Sequence, residues 1–219
     1  MNYNLIIFID LFSINLTQNP FFIVLDGVDG SGTTTHSKLL ASFLEYRGFK
    51  IHLTHEPSSS EIGKLLRNFL KNKEIPPTTD ALLFAADRDL HYHNEIKKKL
   101  DEGYFVISDR YIESSIIYQS VQSDDITIEW VKELNKFVGL PDLTIVLDID
   151  PKLALTRKND DDPEKFEDSS FLDKVRELYL TRAKQEGYYI IDTNDIIEFV
   201  QEKIQKIVLE KLDVNKVKK

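Results

Sequence analysis

The chain of 219 residues contains no cysteine, which excludes disulfides and thiolate metal sites and fits a cytoplasmic enzyme. The same absence fits, less directly, a heat-adapted source that avoids labile side chains. Basic residues are in the minority, 28 Lys and Arg against 37 Asp and Glu, for a net charge of −9. That balance argues against a nucleic-acid partner, which needs a basic face. A small anionic ligand is still compatible, because local N–H groups and a few arginines dominate at short range. No apolar run reaches the ~20 residues of a membrane span. Leu5 to Phe12 is apolar but short, and Asp10 interrupts it. The N-terminus has neither the basic start nor the small-residue cleavage site of a signal peptide. No internal repeat stands out, and no low-complexity segment beyond a short charged stretch.

A hydrophobic fraction of 42% over this length is enough for one sizeable core, so one domain is expected, over residues 21–212. Residues 1–20 read as an extension before the first core strand: an extra strand, a loosely packed arm, or a translation start placed too early. Residues 213–219 read as a solvated tail. Short apolar runs at 21–25, 50–54, 104–108, 143–147 and 188–191 predict strands. Helices are expected at 33–47, 61–72, 78–100, 113–137 (broken near Asp124-Asp125), from after 168 to Gly187, and at 195–212, with Thr78-Thr79-Asp80 capping the third. Alternating strands and helices predict a three-layer α/β/α fold around a five-stranded parallel sheet. Ligands of such sheets bind beyond the strand C-terminal ends.

Gly27-Val28-Asp29-Gly30-Ser31-Gly32-Thr33-Thr34 lies between the first strand and the first helix. Strand, glycine-rich turn and helix form the context of a phosphate-binding loop, in which backbone N–H groups and the helix dipole face an anion. Thr34 stands where that motif places its Mg²⁺-binding hydroxyl. Thr33 stands where the motif asks for Lys, so the loop by itself is also compatible with a plain strand–helix turn. Asp109-Arg110-Tyr111, at the end of the third strand, reads either as an ion pair capping a helix or as an Arg fork for phosphate with an Asp near Mg²⁺. Phe84 and Arg88, four apart, share a helix face. They form either an ordinary amphipathic surface or an aromatic platform with a donor fork for a base. The charged stretch 158–168 is either a solvated loop or a lid over phosphates. His36, His52, His91 and His93 have no metal-ligand spacing, and His91 and His93 read as surface residues.

Taken together these segments resemble thymidylate kinase, in the nucleoside monophosphate kinase group of P-loop folds, over roughly residues 21 to 205. The motifs are Asp-Gly-Val-Asp-Gly-Ser-Gly at 26–32, Leu-Leu-Phe-Ala-Ala-Asp-Arg at 82–88 and Asp-Arg-Tyr-x-x-Ser-Ser-x-x-Tyr-Gln at 109–119. Leu-Asp-Ile-Asp-Pro at 147–151 and Lys-Phe-Glu-Asp at 165–168 add to them. The resemblance implies ATP as donor, dTMP as acceptor, Mg²⁺ held at Thr34 and Asp109, and a lid over about 157–168. It also implies a homodimer through helices including the one near residues 80–100. Residues 27–34 would cradle the ATP phosphates, and Asp29 would lie between the two nucleotides. Phe84 would stack on thymine, Arg88 would donate to O4, and Arg110 would hold the acceptor phosphate. Tyr118 would pack beneath the sugar and Gln119 beside the base, with Glu56 and Ser114 also on the acceptor side. Arg157 and Lys165 match lid positions that carry cations in family members with Gly30 in the loop.

Two positions depart from the family. Thr33 replaces the loop Lys, for which Arg157, Lys158 or, less readily, Lys38 would have to substitute. His55 replaces the Arg that opens the Arg-Glu-Pro turn. These departures leave open a kinase of relaxed acceptor choice, or a catalytically weak nucleotide-binding regulatory protein.

Overall fold

The computed structural model describes residues 19–72, 74–157 and 168–217. Lys158, Lys165, most of the expected lid, residues 1–18 of the expected extension, and residues 218–219 lie outside them. The strands are β1 (Phe21–Gly27), β2 (Ile51–His55), β3 (Phe105–Asp109), β4 (Leu143–Asp148) and β5 (Tyr189–Asp192). They pair in parallel in the order β2-β3-β1-β4-β5. Register sets Ile23 beside Ile107 on one side and beside Leu143 on the other. Helices in chain order are α1 (Thr33–Tyr46), α2 (Glu61–Leu70), α3 (Pro77–His91), α4 (Lys97–Asp101), α5 (Ile112–Gln122), α6 (Ile128–Leu134), α7 (Pro151–Thr156), α8 (Ser169–Glu186) and α9 (Ile197–Val217).

Strand periodicity divides the core. Phe21, Ile23 and Leu25 point to one face, where Leu40 and Leu44 of α1 and Val200, Ile204 and Val208 of α9 cover them. Phe22 and Val24 point to the other, against Ile112 and Ile116 of α5. Both faces being covered, β1 is apolar from Phe21 to Leu25 rather than alternating. The connection from β1 runs toward β2 and that from its neighbour β4 runs the other way toward β5, so a crevice opens between their C-terminal ends. The loop 27–34 runs through that crevice.

Several local expectations change. The long helix near 78–100 is three pieces, α3, a π-turn at Tyr92–Ile96 and α4. Its start is set by Pro76 at the N-cap and Pro77 at N1, and no side chain caps it. Proline at N1 has the helical φ built in and lacks a donor that would go unpaired there. Thr78, Thr79 and Asp80 therefore lie inside the first turn. Helix α7 goes unseen in the sequence reading because six residues are too few for a helical period to show; in the structure Asp150 caps it, accepting from Lys152 N at 2.8 Å. Helix α9 continues past the expected end near 212 to Val217.

Ile23 is fully buried between two neighbouring strands. Ile23→Ala is expected to lower unfolding free energy by about 2–5 kcal/mol. Leu140→Ala, at a side chain 74% exposed, should stay within about 0.5 kcal/mol. Urea denaturation of both variants measures the difference.

Candidate active site

Glycine is required in the loop by contact as well as by conformation. Gly30 has φ +83°, and a Cβ there would lie 2.6 Å from the carbonyl oxygen of Ala154. Gly32 is the N-cap of α1, which has no side-chain cap and no acidic residue in its first turn. No side chain of the helix's own first turn offsets the positive end of the α1 dipole.

Beneath the loop lies the Asp26 carboxylate, fully buried at the end of β1. It accepts from Gly27 N at 2.9 Å, Ser114 N at 3.1 Å, Ser114 Oγ at 2.6 Å and Tyr179 Oη at 2.6 Å. Burial pushes its carboxyl above the usual range, opposed by Arg110 and by these donors. Arg110 follows β3 with φ +68°, a left-handed conformation rare outside glycine. The turn aims its guanidinium back over the loop, where Nη1 donates to Gly27 O at 2.8 Å and Ser114 Oγ at 2.9 Å, and Nη2 to Asp29 Oδ1 at 2.6 Å. Tyr118 Oη accepts from Asp29 N at 3.1 Å. Burial pushes the Tyr118 and Tyr179 phenols far up, so both stay neutral.

Asp109 does not pair with Arg110. Its Oδ2 accepts from the Thr34 hydroxyl, which brings together the two residues expected at Mg²⁺. Asp109 Oδ1 is buried with no hydrogen-bond partner, as are Ser31 Oγ in the loop and Gln119 Oε1. Buried polar atoms are rarely left unpaired. One hydroxyl and one carboxylate with a spare oxygen fit a hard cation that completes its shell with phosphate and water. Among the described residues no cluster of three or more His, Cys, Asp or Glu could hold a metal alone.

On the far side of Arg110 a cavity of about 220 Å³ is lined by Asp29, Glu56, Phe84, Arg88, Ser114, Tyr118 and Gln119, among others. Phe84 and Arg88 do share its wall. Arg88 is almost wholly buried, with Nε on Glu56 Oε2 at 2.8 Å, Nη1 on Asn135 Oδ1 at 2.8 Å and Nη2 on Ser115 Oγ at 2.8 Å. Arg157 stands apart from this group, donating to Thr193 O at 3.1 Å. Lys38 is exposed on α1.

Sequence reading missed four contributors. Arg67 of α2 lines the cavity and packs on the turn after β2, with Nη1 on Ser58 O at 2.9 Å and Nη2 3.1 Å from His55 Nε2. A guanidinium thus reaches the turn where His55 stands in place of the family's Arg. Asp26 and Tyr179 are the second and third. The fourth is His91, expected at the surface but 3% exposed. It meets Glu56 Oε1 at 3.2 Å and Thr54 Oγ1 at 2.7 Å. Its spacing of three from Arg88 was the available signal, since both then face one wall. His36 is likewise buried, its Nδ1 2.9 Å from Gln201 Oε1, while His93 is exposed.

Glycine-rich loop, uncapped helix and hydroxyl–carboxylate pair, set at a parallel-sheet switch point, make this a P-loop fold with an adjoining cleft. The chain belongs to the thymidylate kinase family, whose model, described as "Thymidylate kinase", matches residues 25–204. A "Probable thymidylate kinase" of Pyrobaculum aerophilum is 46% identical over 193 residues, covering 85% of this chain and 97% of the relative. One of Pyrobaculum calidifontis is 49% identical over 173 residues, covering 78% and 86%. One of Staphylothermus marinus is 42% identical over 198 residues, covering 89% and 98%.

Gly30→Ala combines a left-handed φ with a Cβ inside the van der Waals shell of Ala154. It is expected to lower the melting temperature and to abolish the thermal stabilisation that ATP gives the wild type, measured by differential scanning fluorimetry with and without nucleotide.

Proposed function

We propose that this family member transfers the γ-phosphoryl group of ATP to dTMP, giving dTDP and ADP. The observation that carries the reading is the placement of Arg110. One guanidinium binds the phosphate loop through Gly27 O and Asp29, and also lines the acceptor cavity. It therefore stands where donor and acceptor phosphates must meet.

An acceptor phosphate oxygen attacks the γ-phosphorus as the bond to the bridging oxygen of ADP breaks, with no covalent enzyme intermediate. What the chain supplies is positioning and charge neutralisation. Arg110 holds the acceptor phosphate and is firmly charged: burial alone would lower its pKa, but the Asp29 and Asp26 carboxylates beside it raise it well above the ordinary value. Asp29 fixes the guanidinium from the loop side. Residues 27–34 cradle the ATP phosphates through backbone N–H groups, with α1 behind them. Phe84 offers a face for thymine and Arg88 a donor at its edge, which disfavours cytosine. Tyr118 lies beneath the sugar, and Gln119 brings its buried Oε1 to the base side. Glu56 and Ser114 hold Arg88 and Arg110 respectively.

Thr34 and Asp109 would hold Mg²⁺, which when bound neutralises the donor phosphates and orients them. In place of the loop Lys, Arg157 and Lys165 are assigned to the lid as the cations that approach the donor. A homodimer is supported by partly exposed Leu65 on α2 and Leu82 and Leu90 on α3, two helices that pack together. The location is cytoplasmic, where the family's nucleotide substrates are made and used.

Incubation with ATP, Mg²⁺ and a panel of monophosphates should give ADP with dTMP, and far less with dCMP; no turnover of dTMP above background overturns the assignment. Thr34→Ala is expected to raise the Mg²⁺ concentration for half-maximal rate by roughly tenfold, since one ligand of several is lost. A magnesium titration at fixed ATP reads this directly.

A further inference from the structure

Six polar side chains outside the reaction centre join the acceptor wall to the edge of the sheet. Arg88 and His91, three apart on α3, both meet the Glu56 carboxylate, at 2.8 Å and 3.2 Å. The other ring nitrogen of His91 is 2.7 Å from Thr54 Oγ1. Thr54 Oγ1 in turn donates to Glu95 Oε1 at 2.7 Å, and His52 Nε2 meets the same oxygen at 2.9 Å. Thr54, Glu56, Arg88 and His91 are all buried. Glu95 reaches this position from the π-turn that directly follows His91. Such turns recur at functional sites.

With the Thr54 hydroxyl donating to Glu95, donor and acceptor counts point to the state of the ring. A hydroxyl carries one proton, and Thr54 gives its proton to Glu95, so toward His91 it can only accept. Glu56, ionised against Arg88, can only accept as well. Both ring nitrogens of His91 must then donate, which makes the ring an imidazolium.

We propose that His91 is a positioning residue held as an imidazolium, which with Arg88 fixes the Glu56 carboxylate in the acceptor wall and ties acceptor affinity to one buried proton. The proposal rests on the reading of this cavity as the dTMP site.

The surroundings agree. Burial pulls His91 toward the neutral form, but the hydrogen bond and charge of Glu56, with Glu95 and Asp87, outweigh it, and its pKa lies above the ordinary histidine value. Glu95 is displaced below the ordinary carboxylate value: burial would raise it, and Thr54 and His52 outweigh that. Facing His91 are Thr54 and Glu56 from β2 and its turn, Asp87 and Arg88 from α3, and Glu95 from the π-turn. Asp87 is itself engaged by Ser58 N, Ser58 Oγ and Ser60 Oγ, each at 2.6 Å. A histidine raised in the folded state contributes stability fully below its unfolded value and loses it as pH rises through the folded one. On deprotonation one ring nitrogen faces an acceptor without a proton. Either Glu56 loses a donor or Thr54 turns from Glu95 to the ring, and the wall behind Arg88 loosens.

Long-range proton–nitrogen spectra test the charge directly, with His91 assigned by the signals lost in His91→Gln. Both ring nitrogens should be protonated at about pH 7, and a His91 ring with one bare nitrogen there overturns the proposal. Kinetics from about pH 7 to pH 9, where the acceptor phosphate is already a dianion, test the coupling. The dTMP KM should rise roughly tenfold as His91 loses its proton, while the ATP KM and kcat change little. In His91→Gln the dTMP KM should start raised and no longer follow pH. Thr54→Val, which removes the oxygen that accepts from Nε2, should move the midpoint to lower pH and is informative even if His91→Gln does not fold. An identical pH profile in wild type and variant, or joint losses in kcat and both KM values, overturns the proposal. Absence of dTMP turnover in the wild type would instead refute the substrate assignment, and the spectra would still report the charge on His91.

Discussion

The Asp26 carboxylate, shut off from solvent at the end of β1, gathers N–H and O–H donors from the loop, from α5 and from α8. A buried acceptor with so many donors is a strong geometric constraint, because each donor deprived of it would face the desolvation cost of an unmade hydrogen bond, about 1–3 kcal/mol. The loop can therefore take few positions relative to α5. Ser114, which donates to Asp26, also accepts from Arg110. The fork that touches both the loop and the cavity is in this way referenced to the same carboxylate as the loop.

A second layer of polar contacts fixes the wall of the cavity. The turn after β2 is clamped to α3 through Asp87, Arg88 and His91, and to α2 through Arg67. Arg88 presents itself to the cavity from a frame of Glu56, Asn135 and Ser115, which removes most of its rotamer freedom in advance. A donor ordered in advance discriminates between ligands more sharply than one ordered on binding, since its entropy cost falls in folding rather than in recognition. Thr33 and His55 also change meaning in this setting. His55 lies against Arg67, so the turn still carries a guanidinium. At Thr33 the backbone cradle persists while the usual loop cation is absent.

Much of this was legible in the chain. Apolar runs of strand length, glycines at 27, 30 and 32, and Asp-Arg at the end of a strand all carry their meaning locally, because strand alternation, left-handed turns and strand-end ligand sites depend on near neighbours in sequence. Phe84 and Arg88 were legible for the same reason, being four apart on a helix. Asp26 was visible as a charge closing an apolar strand, but its partners lie on α5 and α8. The cap of α3 was misread because two prolines outcompeted a threonine cap, and α7 went unread because six residues are too few for a helical period to show.

The sequence by itself determined the α/β class, the five strands, the glycine-rich strand–helix loop and the family. Each of these follows from periodicity or from a motif whose residues lie within a few positions of one another. Only the tertiary structure decided that Asp109 turns to Thr34 rather than to Arg110, that Arg67 supports the turn at His55, and that His91 is interior. Those outcomes depend on which side chains from distant segments compete for the same donor or acceptor, and on how burial raises the cost of leaving one unmatched. That competition has no signature along the chain until the sheet brings the strand ends together.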